Sequence, residues 1–391
     1  MNISDKVIKN LTLNRRELHK IPELGFQEIK TQAYLFEKLE LMGYKPEKIC
    51  NTGIYIYIDN GKDFSFAFRS DMDALPIVEK NNIDFISNHD GIMHGCGHDG
   101  HMATLLGFAE YLTTIDKVNI PFNILLIFQP AEEGPGGAKN IIESGLLKSH
   151  KARAIFGLHL FPNLPEGKIG TKAGSFMASC NEITVTITGK SGHCGQPQLG
   201  VDSIQIAMKF LENMNIITTK MLSPFDPSII SFNKINGGTV GNVTAEKTKI
   251  EGTIRSFSLE SLDLIKEKIK QTCTQLEVFF DCKIDTQIIQ GYPVVNNDKN
   301  YYNILKSALE KTKKIDFVEL EPEMLAEDFS FYLNEIPGLF YYVGTKNEKK
   351  GFITPLHNCK FNFDEKALEY ALISLILIFE ELNSKYQNDN I

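Results

Sequence analysis

No apolar stretch in this 391-residue chain is long enough to cross a membrane. The longest, Ala371 to Phe379, is broken by Ser374 and reaches about half of the ~20 residues a helical span needs. The amino terminus, Met1-Asn-Ile-Ser-Asp-Lys, lacks the apolar core of a secretory signal and is charged early, so a cytoplasmic location is expected. Positive charge is also scarce. Lys and Arg number 41 against 49 Asp and Glu, a net charge of −8, and no basic run tracks phosphates, which excludes a nucleic-acid partner. The seven cysteines are odd in number and scattered, which argues against a disulfide framework and fits a reducing compartment. Internal repeats and low-complexity segments are lacking too. What remains is ordinary globular composition, 42% hydrophobic and 23% charged, in a chain long enough for about two or three domains.

The pattern of elements divides the chain. Residues 28–42 place Leu35, Phe36, Leu39 and Met42 on one helical face, with Gly43 as a stop. Gly53 to Ile58 and Phe64 to Arg69 read as strands, His101 to Leu112 as a helix. Asn123 to Phe128 and Ala154 to Leu160 are continuous apolar runs, the pattern of buried parallel strands. Leu339 to Gly344 is a further strand and 364–384 a long final helix. Such alternation predicts an α/β sheet covered by helices on both faces, with ligands beyond the carboxyl ends of its strands. The middle differs. Glu182 to Thr188 alternates, Val201 to Ile217 is an amphipathic helix, Ser228 to Ile235 and Lys247 to Ser256 are strands, Leu259 to Phe280 is a helix and Lys283 to Ile289 a strand. That β-α-β-β-α-β order is the ferredoxin-like, split-βαβ arrangement. The expected organisation is a catalytic α/β domain in two parts, 1–178 and 293–391, with an α+β domain at 179–292 inserted between them.

Four of the nine histidines (His89, His94, His98 and His101) fall within thirteen positions. In His94-Gly95-Cys96-Gly97-His98, glycines flank a cysteine and a histidine two apart, so both can turn toward one ion. A turn with a buried cysteine and solvated histidines would give the same local pattern. Glu132-Glu133 follows an apolar strand. On an extended chain the two point to opposite sides, so one carboxylate can bind metal while the other acts as general base. A solvated acidic loop is the plain alternative. Asp71 and Asp73 share one side of a strand end, placed to orient a ligand histidine or to make a turn before Pro76. His159 and His357 complete a possible five-ligand set with Cys96, His98 and Glu133. His193 sits in a glycine-rich turn, and Arg255 ends a strand where it could hold a carboxylate or make a surface ion pair.

Together these segments resemble the aminoacylase-type amidohydrolases, the N-acyl-amino-acid and hippurate hydrolase branch of the di-metal carboxypeptidase and deacetylase family. The resemblance runs nearly end to end. It includes Leu18 to Gly25, Asp71 to Pro76, Met93 to His101, Gln129 to Gly137, Gly157 to His159, Gly192-His193, Gly237 to Val243, Glu251 to Arg255, Glu327 to Phe329 and Pro355 to His357. It implies a metallo-exopeptidase-like catalytic domain and an inserted lid through which two copies dimerise. It further implies two divalent metals (Zn, Mn, Co or Ni) held by Cys96, His98, Glu133, His159 and His357. Glu132 is the implied general base, supported by Asp71 and Asp73, and His193 the residue that polarises the substrate carbonyl. Asn242 and Arg255, with Glu327, are implied in substrate binding. The implied reaction is hydrolysis of an N-acyl amino acid to a carboxylate and a free amino acid. Two departures mark this chain. Pro197-Gln198 stands where a second lid histidine is common, and Thr244-Ala245 follows Asn242-Val243 where many members have proline. The second departure resembles N-acetyldiaminopimelate deacetylases, which remain an alternative. So do a dipeptidase or carboxypeptidase and, in another class, a non-catalytic metal-binding protein on the same scaffold.

Overall fold

The computed structural model describes residues 3–388, so the outermost residues of the expected end segments lie outside the described residues. By contact density the chain forms two units: residues 1–174, 296–321 and 328–391, and residues 175–295 with 322–327.

The first unit is built on an eight-stranded mixed sheet. Its strands are β1 (Glu47–Ile49), β2 (Gly53–Ile58), β3 (Ser65–Asp71), β4 (Asn123–Gln129), β5 (Ala152–Pro165), β6 (Lys168–Thr171), β13 (Asp316–Glu319) and β14 (Gly338–Lys346), in the order β1-β2-β4-β3-β5-β14-β6-β13. β7 (Gly174–Met177) and β12 (Val295–Asn297) are short strands where the chain passes between units. At the centre, β4, β3, β5 and β14 run parallel. Every residue of β3 and β4 is buried, which requires cover on both faces. Helices α1 (Asp5–His19), α3 (His98–Leu112) and α10 (Lys366–Asn388) pack on one another. Helices α4 (Gly137–Glu143) and α9 (Ser330–Glu335) pack together and against β4 and β14. The result is the expected three-layer α/β fold. In its core Phe68 stacks on Phe156 at 5.3 Å and meets Phe108 of α3 at 4.8 Å.

The second unit holds β8 (Ser179–Thr188), α6 (Ser203–Ile216), β9 (Ser228–Gly237), β10 (Lys247–Ser256), α7 (Leu259–Phe280) and β11 (Lys283–Gln290), in the sheet order β11-β8-β10-β9. All three pairings are antiparallel, the ferredoxin-like arrangement. Alternation is clean in β8. Ile183, Val185 and Ile187 are buried against Ile206 and Phe210 of α6 and Ile265 and Ile269 of α7. Asp202 caps α6 through the Ile204 N–H, and Ser258 caps α7 through the Ser261 N–H.

Candidate metal centre

The expected ligands converge at the carboxyl ends of the parallel strands. Glycine makes the approach possible at Gly97, whose φ of +90° lets the chain turn from Cys96 directly into α3 at His98. The helix therefore starts three residues before the expected His101. His357, in the loop after β14, is tied down by its N–H, which donates to the Gly95 carbonyl at 2.8 Å. Cys96 Sγ lies 3.3 Å from His159 Nε2 and 3.3 Å from His357 Nε2. Glu133 Oε1 lies 3.2 Å from His357 Nε2 and 4.0 Å from His98 Nε2. These separations suit donor atoms sharing a cation at about 2.0–2.3 Å. All but His357, at the exposed edge, are at least half-buried.

The protonation pattern fits a metal as well. His98 Nδ1 donates to the Asp73 carbonyl at 2.9 Å, and His159 Nδ1 donates to the Leu160 carbonyl at 2.8 Å. Both rings thus aim an Nε2 lone pair into the cluster, the usual support of a metal-binding histidine. His98 Nε2 is buried and lacks a hydrogen-bond partner among the described residues. Burial disfavours a charged His98, but Asp71, Asp73 and Glu133 override it and push the imidazole up to about 10. Burial, Glu133 and Glu132 push the Cys96 thiol well up. Such an excess of negative groups is relieved by a cation, which would also turn the thiol into a thiolate ligand. The donor set therefore fits divalent metal.

The two aspartates act differently from the strand-end picture. β3 ends at Asp71, so Asp73 stands beyond it and the pair does not share a strand face. Asp71 Oδ1 accepts from His101 Nδ1 at 2.7 Å, and Asp71 Oδ2 accepts from Arg69 at 2.8 Å. Its carboxyl is held well below the usual range, because His101, His98 and Arg69 outweigh burial. Asp73 accepts the backbone N–H groups of Glu132 and Glu133 at 3.0 and 2.9 Å. His101, expected to open a helix and given no role at the site, is buried. Its Nε2 accepts the Leu160 N–H at 2.9 Å, so a chain of bonds runs from Asp71 through His101 to the residue beside His159. The available signal was spacing, since His98 and His101 share one helical face.

The Glu132-Glu133 pair is also set by something other than strand alternation. β4 stops at Gln129, and Ala131 is left-handed, with φ +55°. The chain leaves the strand in a turn, and the Asp73 carboxylate gathers both N–H groups, so this turn aims the two side chains. Glu132 is buried and Glu133 half-buried.

In the second unit, His193 pairs with Val243 in an isolated bridge, and the Cys194 N–H donates to the Asn242 carbonyl at 3.2 Å. His193 and Asn242 are thus neighbours on two exposed loops. The His193 Nδ1 accepts the Gly195 N–H at 3.0 Å, which leaves Nε2 as the donor end. Arg255 donates to the Met324 carbonyl at 2.9 Å. Glu327 is buried in the short 322–327 segment of the same unit.

Residues 67–380 match the model of peptidase family M20/M25/M40. A curated N-acetyldiaminopimelate deacetylase of Oceanobacillus iheyensis is 38% identical over 372 residues, covering 93% of this chain and 98% of that protein. A solved putative aminohydrolase from methicillin-resistant Staphylococcus aureus is 31% identical, with a TM-score of 0.90, over 96% of this chain and 97% of the other. A Bacillus subtilis protein described as a dinuclear metal binding peptidase of the M20 family is 30% identical, with a TM-score of 0.86, over 97% and 99%. The chain belongs to the M20/M25/M40 peptidase family and is a hydrolase of amide bonds.

Proposed function

We propose that this hydrolase is an N-acetyldiaminopimelate deacetylase, releasing acetate and diaminopimelate. The observation that carries the reading is end-to-end likeness to a curated relative of that name, in a chain that keeps every expected ligand and the base. Thr244-Ala245 after Asn242-Val243 supports the same choice. The likeness favours this narrower substrate over the general aminoacylase and hippurate reading.

Two divalent ions held by Cys96, His98, Glu133, His159 and His357 would supply Lewis acidity to the amide carbonyl and to water. Thiolate softness favours zinc, while the imidazoles and carboxylate also suit manganese, cobalt or nickel. Glu132 takes the proton of the attacking water and delivers it to the leaving nitrogen as the C–N bond breaks. His193 donates to the developing oxyanion. Asn242, Arg255 and Glu327 bind the amino-acid end, Arg255 through a carboxylate. Asp71 and Asp73 hold the ligand and base side chains in place.

A homodimer through the second unit and a cytoplasmic location belong to the same reading. The edge strand β9 exposes Ile229 and Ile235, and α6 exposes Met208 and Ile216. Sedimentation equilibrium is expected to give twice the 44.0 kDa chain mass, and a monomer at micromolar protein would remove the dimer.

The deciding experiment is a panel of N-acetyldiaminopimelate, other N-acetyl amino acids, hippurate and dipeptides, run after reconstitution with each metal. N-acetyldiaminopimelate is expected to lead in kcat/KM by about tenfold or more, the scale set by buried polar recognition. Preference for hippurate or dipeptides would return the broader readings. No turnover with metal bound would favour the non-catalytic one.

A further inference from the structure

The Leu18 to Gly25 motif and the residues just after it have no assigned chemistry, yet they touch the loops that carry the site. Glu28 stands out among them. It occupies the N-cap position of α2 (Ile29–Leu41), but its side chain makes no capping bond. Glu23 does that work, accepting the N–H groups of Lys30 and Thr31 at 2.8 and 2.9 Å. The Glu28 carboxylate is fully buried and turned the other way. Its Oε1 accepts the Ala131 N–H at 2.9 Å, and its Oε2 accepts the Thr52 hydroxyl at 2.5 Å.

Ala131 is the left-handed residue that turns the chain out of β4 just before Glu132. For a residue with a Cβ this conformation costs roughly 1–2 kcal/mol, so it persists only where its surroundings hold it. The holding groups are visible. Glu28 takes the Ala131 N–H, while the Ala131 carbonyl accepts from Gly136 and Gly137 at 3.0 and 2.9 Å. Gly25 lies close enough that an added Cβ would come within 2.9 Å of the Ala131 Cβ and 2.6 Å of the Gly134 oxygen. On the far side of the turn Asp73 takes the next two N–H groups. Two buried carboxylates therefore grip three consecutive N–H groups, Glu28 at Ala131 and Asp73 at Glu132 and Glu133. Burial pushes the Glu28 carboxyl up, with the Thr52 hydroxyl and the Ala131 N–H working against that. A carboxylate kept dry away from the helix it could cap serves the turn.

We infer that Glu28 is a positioning residue for metal binding and turnover: it fixes the left-handed Ala131 and so sets the direction of Glu133 as ligand and Glu132 as base. The inference rests on the roles assigned to those two glutamates. Three variants test it: Glu28→Ala removes both bonds, Glu28→Gln keeps an acceptor for the Ala131 N–H, and Thr52→Val removes only the hydroxyl that steadies the carboxylate.

Affinity for Zn2+ and for Mn2+ is measured by calorimetry on metal-stripped protein, beside kcat, KM and the unfolding midpoint of the stripped protein. Glu28→Ala is expected to weaken metal affinity and lower kcat by about 10–100-fold, with KM within threefold, the usual scale for a group that orients a ligand. Glu28→Gln is expected to restore both to within about threefold, and Thr52→Val to lose about threefold to tenfold. A merely structural Glu28 would lower the unfolding midpoint and leave metal affinity and kcat unchanged, which overturns the inference. Should Glu28→Ala fail to fold, Thr52→Val decides, and wild-type affinity and kcat there also overturn it. If no acyl substrate is turned over by the wild type but Glu28→Ala still loses metal affinity, the substrate reading fails and the positioning of Glu133 stands.

Discussion

The two units solve the burial problem in opposite ways. In the first, β3 and β4 are buried on both faces and read as continuous apolar runs. In the second, β8 alternates, with Ile183, Val185 and Ile187 inward and Glu182, Thr184 and Thr186 less covered. Their polar groups follow the same division. The first unit buries His98, His101, His159, Asp71, Asp73 and Glu132, and within it Asp71 bonds His101, His159 bonds the Leu160 carbonyl and Asp73 bonds the Glu132 N–H. The second presents His193 and Asn242 on exposed loops. A buried polar cluster must satisfy itself, so its geometry states its chemistry. An exposed loop takes its meaning from what it meets.

The contrast can be broken first at the ligands. His98→Ala is expected to lose bound metal and to lower kcat/KM by about 10³-fold or more, measured by elemental analysis and turnover of the same sample. Full metal content in that variant would take His98 out of the ligand set. Next, His193→Ala is expected to lower kcat by roughly 10²-fold while metal content stays at the wild-type level. Loss of metal there would contradict the division of labour between the units.

A smaller effect concerns stability and pH. His19 lies between Asp99, at 2.8 Å, and Glu79, at 3.1 Å, with Arg15 also on Asp99. Burial works against its charge, but the two carboxylates win and raise its pKa. The folded state thus keeps a proton that the unfolded chain gives up near pH ~6.5. The contribution is fully present below that pH and is lost as pH rises through the folded pKa, at up to ~1.4 kcal/mol per pH unit. Urea unfolding between about pH 6 and 8 should show this slope in the wild type and a flatter one in His19→Gln. Equal slopes would show that His19 is not the group responsible. The smallest effect is expected at Glu251, paired with the exposed Lys234 and Lys249 in the second unit. Glu251→Gln should leave kcat/KM within about twofold, since exposed pairs contribute little.

Much of this architecture was legible in the sequence because it follows period and spacing. The parallel strands and the β-α-β-β-α-β order follow from local patterns, while the set Cys96, His98, Glu133, His159 and His357 is what the family resemblance implies. What escaped was set by long-range contacts. The local pattern gives His101 no role at the site, because its partners Asp71 and Leu160 are thirty and fifty-nine residues away. Strand alternation fails at Glu132-Glu133, because a left-handed alanine bonded by Glu28, with Asp73 on the next two N–H groups, aims the pair. No local rule requires Ala131 to adopt that conformation. Glu28 looked like one more residue at a helix start, and only its partners at Thr52 and Ala131 separate it from a cap.

In the proposed mechanism Glu132 moves the proton while its neighbour Glu133 helps hold the metal. Metal content and turnover of Glu132→Gln, measured on one preparation, separate the two roles. Wild-type metal content and a loss in kcat of about 10²–10⁴-fold are expected. A variant that turns over at near the wild-type rate, or one that loses its metal, would contradict that mechanism.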